Sequence, residues 1–239
     1  MIDSVNNEKI VFYKKLRDSK HIKENKKFIV EGEHLVEEAY KAGLLESLIL
    51  ENDYDVDINV PKTIVSKRCM EKISLLKSTP KVMGVVKLKD SHEIIGNKIV
   101  VLDNVQDPGN VGTIIRSSLA FNVDTVILSL DSASIYNDKV IRSSEGNIFH
   151  VNVIIMDIIE AINKIKDKKI PVFYADMNGK TKVDDLVSSS YALVMGSEGR
   201  GISPIVKELV DNSIKIEMNK NCESLNVAVS ASIIMHKMR

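Results

Sequence analysis

Three loops carry the side chains whose types and spacing could do chemistry. In the first, Asp107-Pro108-Gly109 makes a tight turn into an apolar helix, and Asn110 can cap that helix. Arg116 follows six residues later, less than two helical turns on, so an amide and a guanidinium can reach one ligand. The second loop, Gly196-Ser197-Glu198-Gly199-Arg200-Gly201, sets three glycines around one acid. Glycines let the backbone approach a ligand closely. Their order is neither the dinucleotide fingerprint nor a phosphate loop, and Glu198 suits a hydroxyl or amine better than a phosphate. In the third loop, Asn219 to Asn226, Ser224 and Asn226 bring a hydroxyl and an amide to the start of the last helix. A routine turn, a glycine-rich turn and a simple helix cap remain alternative readings of the three loops taken singly. Together they hold no general-base His, no paired carboxylates and no metal cluster, which excludes most hydrolytic and metal-assisted schemes. Such a site binds and positions more than it ionises.

The elements that must hold these loops follow from hydrophobic periodicity. Strands are predicted at 98–105, 125–129, 152–156, 170–176, 191–196 and 214–218. Helices are predicted at 111–122, 138–149, 158–169 and 204–212, with a final helix running to the last residue. Several of these strands are nearly continuous apolar runs, and their alternation with helices indicates a parallel sheet covered on both faces. Doubly wound sheets bind ligands at the carboxyl ends of strands, where the three loops lie. The first ninety residues read as a separate small α/β unit, with strands at 26–32, 46–51, 62–66 and 81–88 and helices at 33–43 and 67–76. Residues 89–97 lose periodicity and carry Gly96 and Asn97, which predicts a linker between domains at 1–90 and 98–239.

Composition narrows the class. At 239 residues with 44% hydrophobic side chains the chain can bury a sizeable core. It has no 18-residue apolar run and no signal segment, so a soluble cytoplasmic protein with no membrane association is expected. Cys69 and Cys222 lie far apart and lack neighbouring ligands, which predicts free thiols and neither a disulfide framework nor a zinc site. Net charge is zero, but residues 1–30 hold eight basic side chains against four acidic ones. Lys14, Lys15, Arg17 and Lys20 in that stretch are candidates for contacting phosphates. An ordinary solvated helix face is the alternative reading of the same charge.

"DPGNVGTIIRSSLAF", "VMGSEGRGIS" and "IKIEMNKNCESLNVAVSASIIM", in this order and spacing, resemble the three motifs of the SpoU (or TrmH) family of RNA 2′-O-ribose methyltransferases, in the SPOUT superfamily. The resemblance covers residues 98–239. "FIVEGEHLVEEAYKAG" resembles the L30e-like substrate-binding domain that precedes the catalytic domain in many members. The implied fold is an α/β, parallel-sheet methyltransferase domain with a C-terminal trefoil knot behind the small N-terminal domain. The implied cofactor is S-adenosylmethionine, held mainly by backbone at Gly196, Ile216, Met218 and Leu225, with no metal. Asn110, Arg116, Glu198, Ser224 and Asn226 occupy the matching polar catalytic positions.

The resemblance further implies a homodimer with its site near the interface, and an RNA substrate, ribosomal and 23S-type. A tRNA substrate is the alternative within the class, and an RNA-binding relative without catalysis is the alternative outside it. The five polar residues stand against the latter. A nucleotide-dependent oxidoreductase lacks its fingerprint here. The family's proposal makes the first-motif Arg activate the ribose hydroxyl, yet an Arg pKa above about 12 leaves almost no neutral base at pH 7. Arg116 is therefore read as a clamp on RNA phosphate that steadies the developing alkoxide, with the proton passing through phosphate or water. Two positions depart from the pattern. Asn122 stands where Gly is common after the first motif, and Asn tolerates the left-handed cap conformation. Glu145 stands where many relatives have a small residue, so substrate choice can differ if it faces RNA.

Overall fold

The computed structural model describes residues 1–89, 91–186 and 188–239 and divides into two compact units, 1–90 and 91–239. Asp90, within the predicted linker, lies outside the described residues. The remainder of that linker is not loose. Ile94 is buried in the second unit's core, and the Ile95 amide donates to the Thr125 hydroxyl at 3.1 Å.

The first unit opens with two short helices that hydrophobic periodicity did not single out, α1 (Glu8–Lys15) and α2 (Ser19–Asn25), capped by the side chains of Asn7 and Asp18. β1 (Lys27–Glu31), α3 (Glu33–Lys41), β2 (Leu45–Glu51), β3 (Lys62–Val65), α4 (Lys67–Ile73) and β4 (Val82–Lys87) follow. The strands form a mixed sheet in the order β1-β4-β2-β3. Ile10, Tyr13, Leu16, Ile29, Ile49, Met70 and Met83 are among its buried core. The predicted helix at 67–76 stops at Ile73, because Ser74 turns extended and gives its hydroxyl to the Glu31 carboxylate.

The second unit is built on seven strands: β5 (Lys98–Asp103), β6 (Thr125–Leu128), β7 (Asn152–Ile155), β8 (Val172–Ala175), β9 (Thr181–Lys182), β10 (Tyr191–Gly196) and β11 (Asn212–Lys215). Their order is β7-β6-β5-β10-β8-β11-β9, and every pairing is parallel. Helices α5 (Pro108–Ala120), α6 (Asp138–Ser143), α7 (Ile158–Asp167), α8 (Pro204–Leu209) and α9 (Val227–Lys237) supply the crossovers and the C-terminal element. Val100, Val101, Leu193 and Val194 at the sheet centre are fully buried, as expected for strands covered on both faces. The order reverses at the β5–β10 junction, with β6 and β7 on one side and β8 and β11 on the other. That junction is where open parallel sheets take ligands.

Three boundary shifts in the second unit bear on the site. The helix expected over 138–149 ends at Ser143, since Glu145 (φ 50°) and Gly146 (φ 75°) enter the left-handed region before a short 3-10 turn at 147–149. The strand expected at 214–218 runs instead from Asn212 to Lys215, because its register against β8 pairs Asn212 with Phe173 and Ile214 with Ala175. Ile216 and Met218 are thereby released into the loop beyond the strand. The helix expected to reach 212 accordingly ends at Leu209. Asn122 adopts φ 57° just past the end of α5, so an amide side chain serves where the pattern favours glycine.

Candidate active site

The first loop is organised by Asp107 and not by Asn110. Asp107 caps α5, its Oδ1 accepting the Asn110 amide at 2.9 Å, with Pro108 in the first turn. Its other oxygen takes the Lys139 ammonium at 2.9 Å, and that contact foremost holds the Asp107 carboxyl below the usual carboxylate range. The sequence reading gave the cap to Asn110. The structure corrects this, and the Asn110 side chain is left for other partners.

The glycine loop hangs from the end of β10. Ser197 and Gly201 exchange backbone hydrogen bonds at 3.1 and 2.8 Å, closing a tight turn that projects Glu198. A Cβ on Gly196 would meet the Gly201 carbonyl carbon at 2.3 Å, so only glycine closes this turn. Asp103, buried at the end of β5, accepts the Ser203 amide at 2.7 Å and fixes the far side of the loop.

The third loop ends where Asn226 caps α9, its Oδ1 accepting the amides of Ala228 and Val229 at 2.9 and 3.2 Å. Its Nδ2 donates to Asn110 Oδ1 at 2.9 Å, and Asn110 Nδ2 donates to Glu198 Oε1 at 2.5 Å. One hydrogen-bonded chain thus joins all three loops, across sequence separations of 116 and 88 residues. Packing of α9 on α5 supports it, through the Ser117 and Ser232 hydroxyls at 2.8 Å and an edge-on contact of Phe121 with His236.

A cavity of about 710 Å³ opens beside this chain. Gly196, Ile216, Met218 and Leu225 all line it, as do Glu198, Ser224 and Asn226. Asn110 reaches it only through its hydrogen bonds to Glu198 and Asn226. Arg116 is not brought into the cavity. Its guanidinium lies 3.9 Å from the Glu145 carboxylate, both side chains about half exposed. Gly112 explains that proximity: a Cβ there would stand 2.5 Å from the Val140 carbonyl oxygen, so glycine lets α6 and the Glu145 turn close on α5.

An ion pair in the lining escaped sequence reasoning. Asp176 and Lys207 face the cavity as an ion pair at 2.8 Å. The hydrogen bond between them holds Asp176 below its ordinary range and raises Lys207. Asp176 directly follows β8, and its place at a strand's carboxyl end was the signal that could have found it. Among the described residues no three His, Cys, Asp or Glu side chains gather as a metal site requires, and no helix is long and apolar enough to cross a membrane.

In the first unit Lys14 and Lys15 close α1 and Lys20 opens α2, all exposed. Arg17 must be removed from this group. It donates to the Ile29 carbonyl at 3.1 Å and to Glu31 Oε1 at 2.5 Å, with side-chain exposures of 9% for Arg17 and 0% for Glu31. A guanidinium so enclosed is not a surface contact for phosphate.

The sequence pattern of the SpoU rRNA Methylase family matches residues 97–236, and that of the MRM3-like substrate binding domain matches residues 7–84. The 23S rRNA (guanosine(2553)-2′-O)-methyltransferase RlmP of Bacillus subtilis is 30% identical over 244 aligned positions, covering 100% of this chain and 98% of the relative. A solved structure from Porphyromonas gingivalis, assigned to the TrmH family of RNA methyltransferases, aligns with a TM-score of 0.88 at 27% identity over 99% and 98% of the two chains. The SpoU methyltransferase AviRb of Streptomyces viridochromogenes, solved with AdoMet, has the same fold at a TM-score of 0.86 and 20% identity, over 97% of each chain. With its family pattern spanning more than half of the sequence and a full-length relative at 30% identity, this chain belongs to the SpoU rRNA methylase family.

Proposed function

We propose that the protein transfers a methyl group from S-adenosylmethionine to a ribose 2′-hydroxyl of 23S-type ribosomal RNA. The observation that carries this reading is the Asn226–Asn110–Glu198 chain at the edge of the cavity, which draws the polar residues of three loops to one point. The cavity residues fit the cofactor. About 710 Å³ lies within the ~300–1,000 Å³ usual for small-molecule sites. Met195, Ile214, Ile216 and Leu225 offer an apolar wall. When bound, S-adenosylmethionine supplies an electrophilic methyl group that needs no metal to activate it.

In this reading the backbone at Gly196, Ile216, Met218 and Leu225 holds the cofactor, while Ser224 and Asn226 orient the ribose. Arg116 grips an RNA phosphate, which replaces Glu145 as its partner, and steadies charge on the attacking oxygen. Lys14, Lys15 and Lys20 add phosphate contacts from the first unit, which serves as the substrate-binding domain. The C-terminal segment forms the family's trefoil knot. Its support is that Ile216 and Met218, and then Glu223 to Asn226, return after β11 to line the same cavity as the β10 loop. A cytoplasmic homodimer is part of the proposal, supported by exposed Leu119 on α5 and Val229 on α9, helices that pack side by side.

The relative's 23S rRNA activity supports a ribosomal substrate over tRNA. Calorimetric titration with S-adenosylmethionine in excess chelator tests the enzyme reading, and absence of binding removes it. Mapping 2′-O-methylation in total RNA with and without the gene tests the substrate. A mark lost from 23S rRNA supports the assignment, and a mark lost only from tRNA overturns it.

A further inference from the structure

The direction of the hydrogen-bonded chain is not a free choice. Backbone amides only donate, so the two amides at the start of α9 require the oxygen of Asn226 to face them. Its Nδ2 must then point to Asn110, whose own oxygen is thereby engaged, and Asn110 Nδ2 must point to Glu198. An Nδ2 group only donates. The chain therefore terminates on a carboxylate oxygen acting as acceptor. Glu198 Oε2 takes no hydrogen bond or ion pair among the described residues, and no cation pairs with this side chain.

The remaining charges around the cavity do not substitute for it. Asp176 is paired with Lys207 at 2.8 Å, Lys215 and Arg200 are cations, and Glu223 lacks the buttress that two asparagines give Glu198. Arg116 lies outside the cavity lining, against Glu145. A general base must reach the proton it takes, and a carboxylate held in place with one oxygen open satisfies that geometry. A guanidinium offers only donors.

We propose that Glu198, and not Arg116, accepts the proton of the target ribose hydroxyl, with Asn110 and Asn226 as positioning residues that fix its carboxylate. The inference rests on the methyl-transfer reading above. The hydroxyl O–H bond breaks, its proton passes to Glu198 Oε2, the freed pair on oxygen bonds the methyl carbon, and the carbon–sulfur pair stays on sulfur. Arg116 keeps its role as a clamp.

The test compares Glu198→Gln, Asn110→Ala and Arg116→Ala by single-turnover methylation across pH, with calorimetric titration of each by S-adenosylmethionine. Gln retains an oxygen for Asn110 but is a far weaker proton acceptor. Its rate is expected to fall ~100–10,000-fold, the usual worth of a general base, with cofactor binding retained. The acid limb of the wild-type profile should vanish in Glu198→Gln and persist in Arg116→Ala. Asn110→Ala should lower the rate with cofactor affinity retained, and should cost little more in a Glu198→Gln background, because Asn110 acts through that carboxylate. A purely structural role for Asn110 would add its full loss in that background. An acid limb that survives in Glu198→Gln overturns the proposal. So does a loss of cofactor affinity that matches the loss of rate, which would make Glu198 a partner of the sulfonium. Failure of the wild-type protein itself to bind S-adenosylmethionine would instead remove the methyl-transfer reading.

Discussion

Two Arg–Glu pairs, one in each unit, have opposite fates. Arg17 and Glu31 meet at 2.5 Å with side-chain exposures of 9% and 0%, and Glu31 also accepts the Ser74 hydroxyl and the Leu75 amide. Arg116 and Glu145 stand 3.9 Å apart with exposures of 58% and 50%. The first pair is enclosed, so removing either partner strands a buried charge. The second is loose and screened, so its Coulomb energy is small and its guanidinium is available to a better anion. Local charge put Arg17, and the family resemblance put Arg116, among candidate RNA contacts. Burial separates a structural cation from a functional one.

The largest test of this contrast is Glu31→Ala, expected to destabilise the first unit by ~3–5 kcal/mol in denaturant unfolding, as uncompensated buried charges do. A loss under ~1 kcal/mol would put the buried pair in the class of exposed ones. Arg116→Ala should leave thermal stability intact but lower turnover roughly 100–1,000-fold, with cofactor affinity preserved. Lys at this position should restore only part, lacking the planar fork that grips two oxygens. Replacing Lys14, Lys15 and Lys20 with Ala should flatten the salt dependence of RNA binding by up to ~0.7–0.9 log units for each phosphate no longer neutralised. An unchanged slope returns these lysines to a solvated helix face.

Glu145→Gln sharpens the comparison from the other side. Freed from its pair, Arg116 should bind RNA more tightly by at most about fivefold, the scale of an exposed ion pair of ~1 kcal/mol or less, with no change in melting temperature. The gain should vanish in an Arg116→Ala background. Smallest is the pH effect of the exposed Asp107–Lys139 pair. Asp107 is held below its ordinary range, so the stability it lends is present above the unfolded carboxylate pKa and lost as pH falls through the lower folded value. Asp107→Asn should remove that part of the acid sensitivity while retaining a side-chain oxygen for the cap.

Much of the catalytic unit was legible because its signals are local. Gly196 and the left-handed Asn122 follow from backbone sterics at single positions. The apolar runs of β5 and β10 announced a sheet covered on both faces. The misses have causes of two kinds, ambiguous local signals and distant pairing. Asp107 and Asn110 are both good capping types three residues apart, and periodicity does not choose between them. The start of β11 is set by its register against β8, which lies in another part of the chain. α1 and α2 are short, and their lysine-rich faces mask the few side chains they bury, Ile10, Tyr13 and Ile22.

By itself the sequence determined the order of the main strands and helices, the parallel α/β class, the three motif loops and the family they resemble. Each of these is written in neighbouring residues, through side-chain period, turn chemistry and caps. Tertiary structure alone decided which polar groups meet. It joined Asn226 to Asn110 and Asn110 to Glu198, paired Asp176 with Lys207, enclosed Arg17 and left Arg116 beside Glu145. The availability of a charge depends on the solvent around it and on partners distant in sequence, and both are set only when the sheet and its helices have packed.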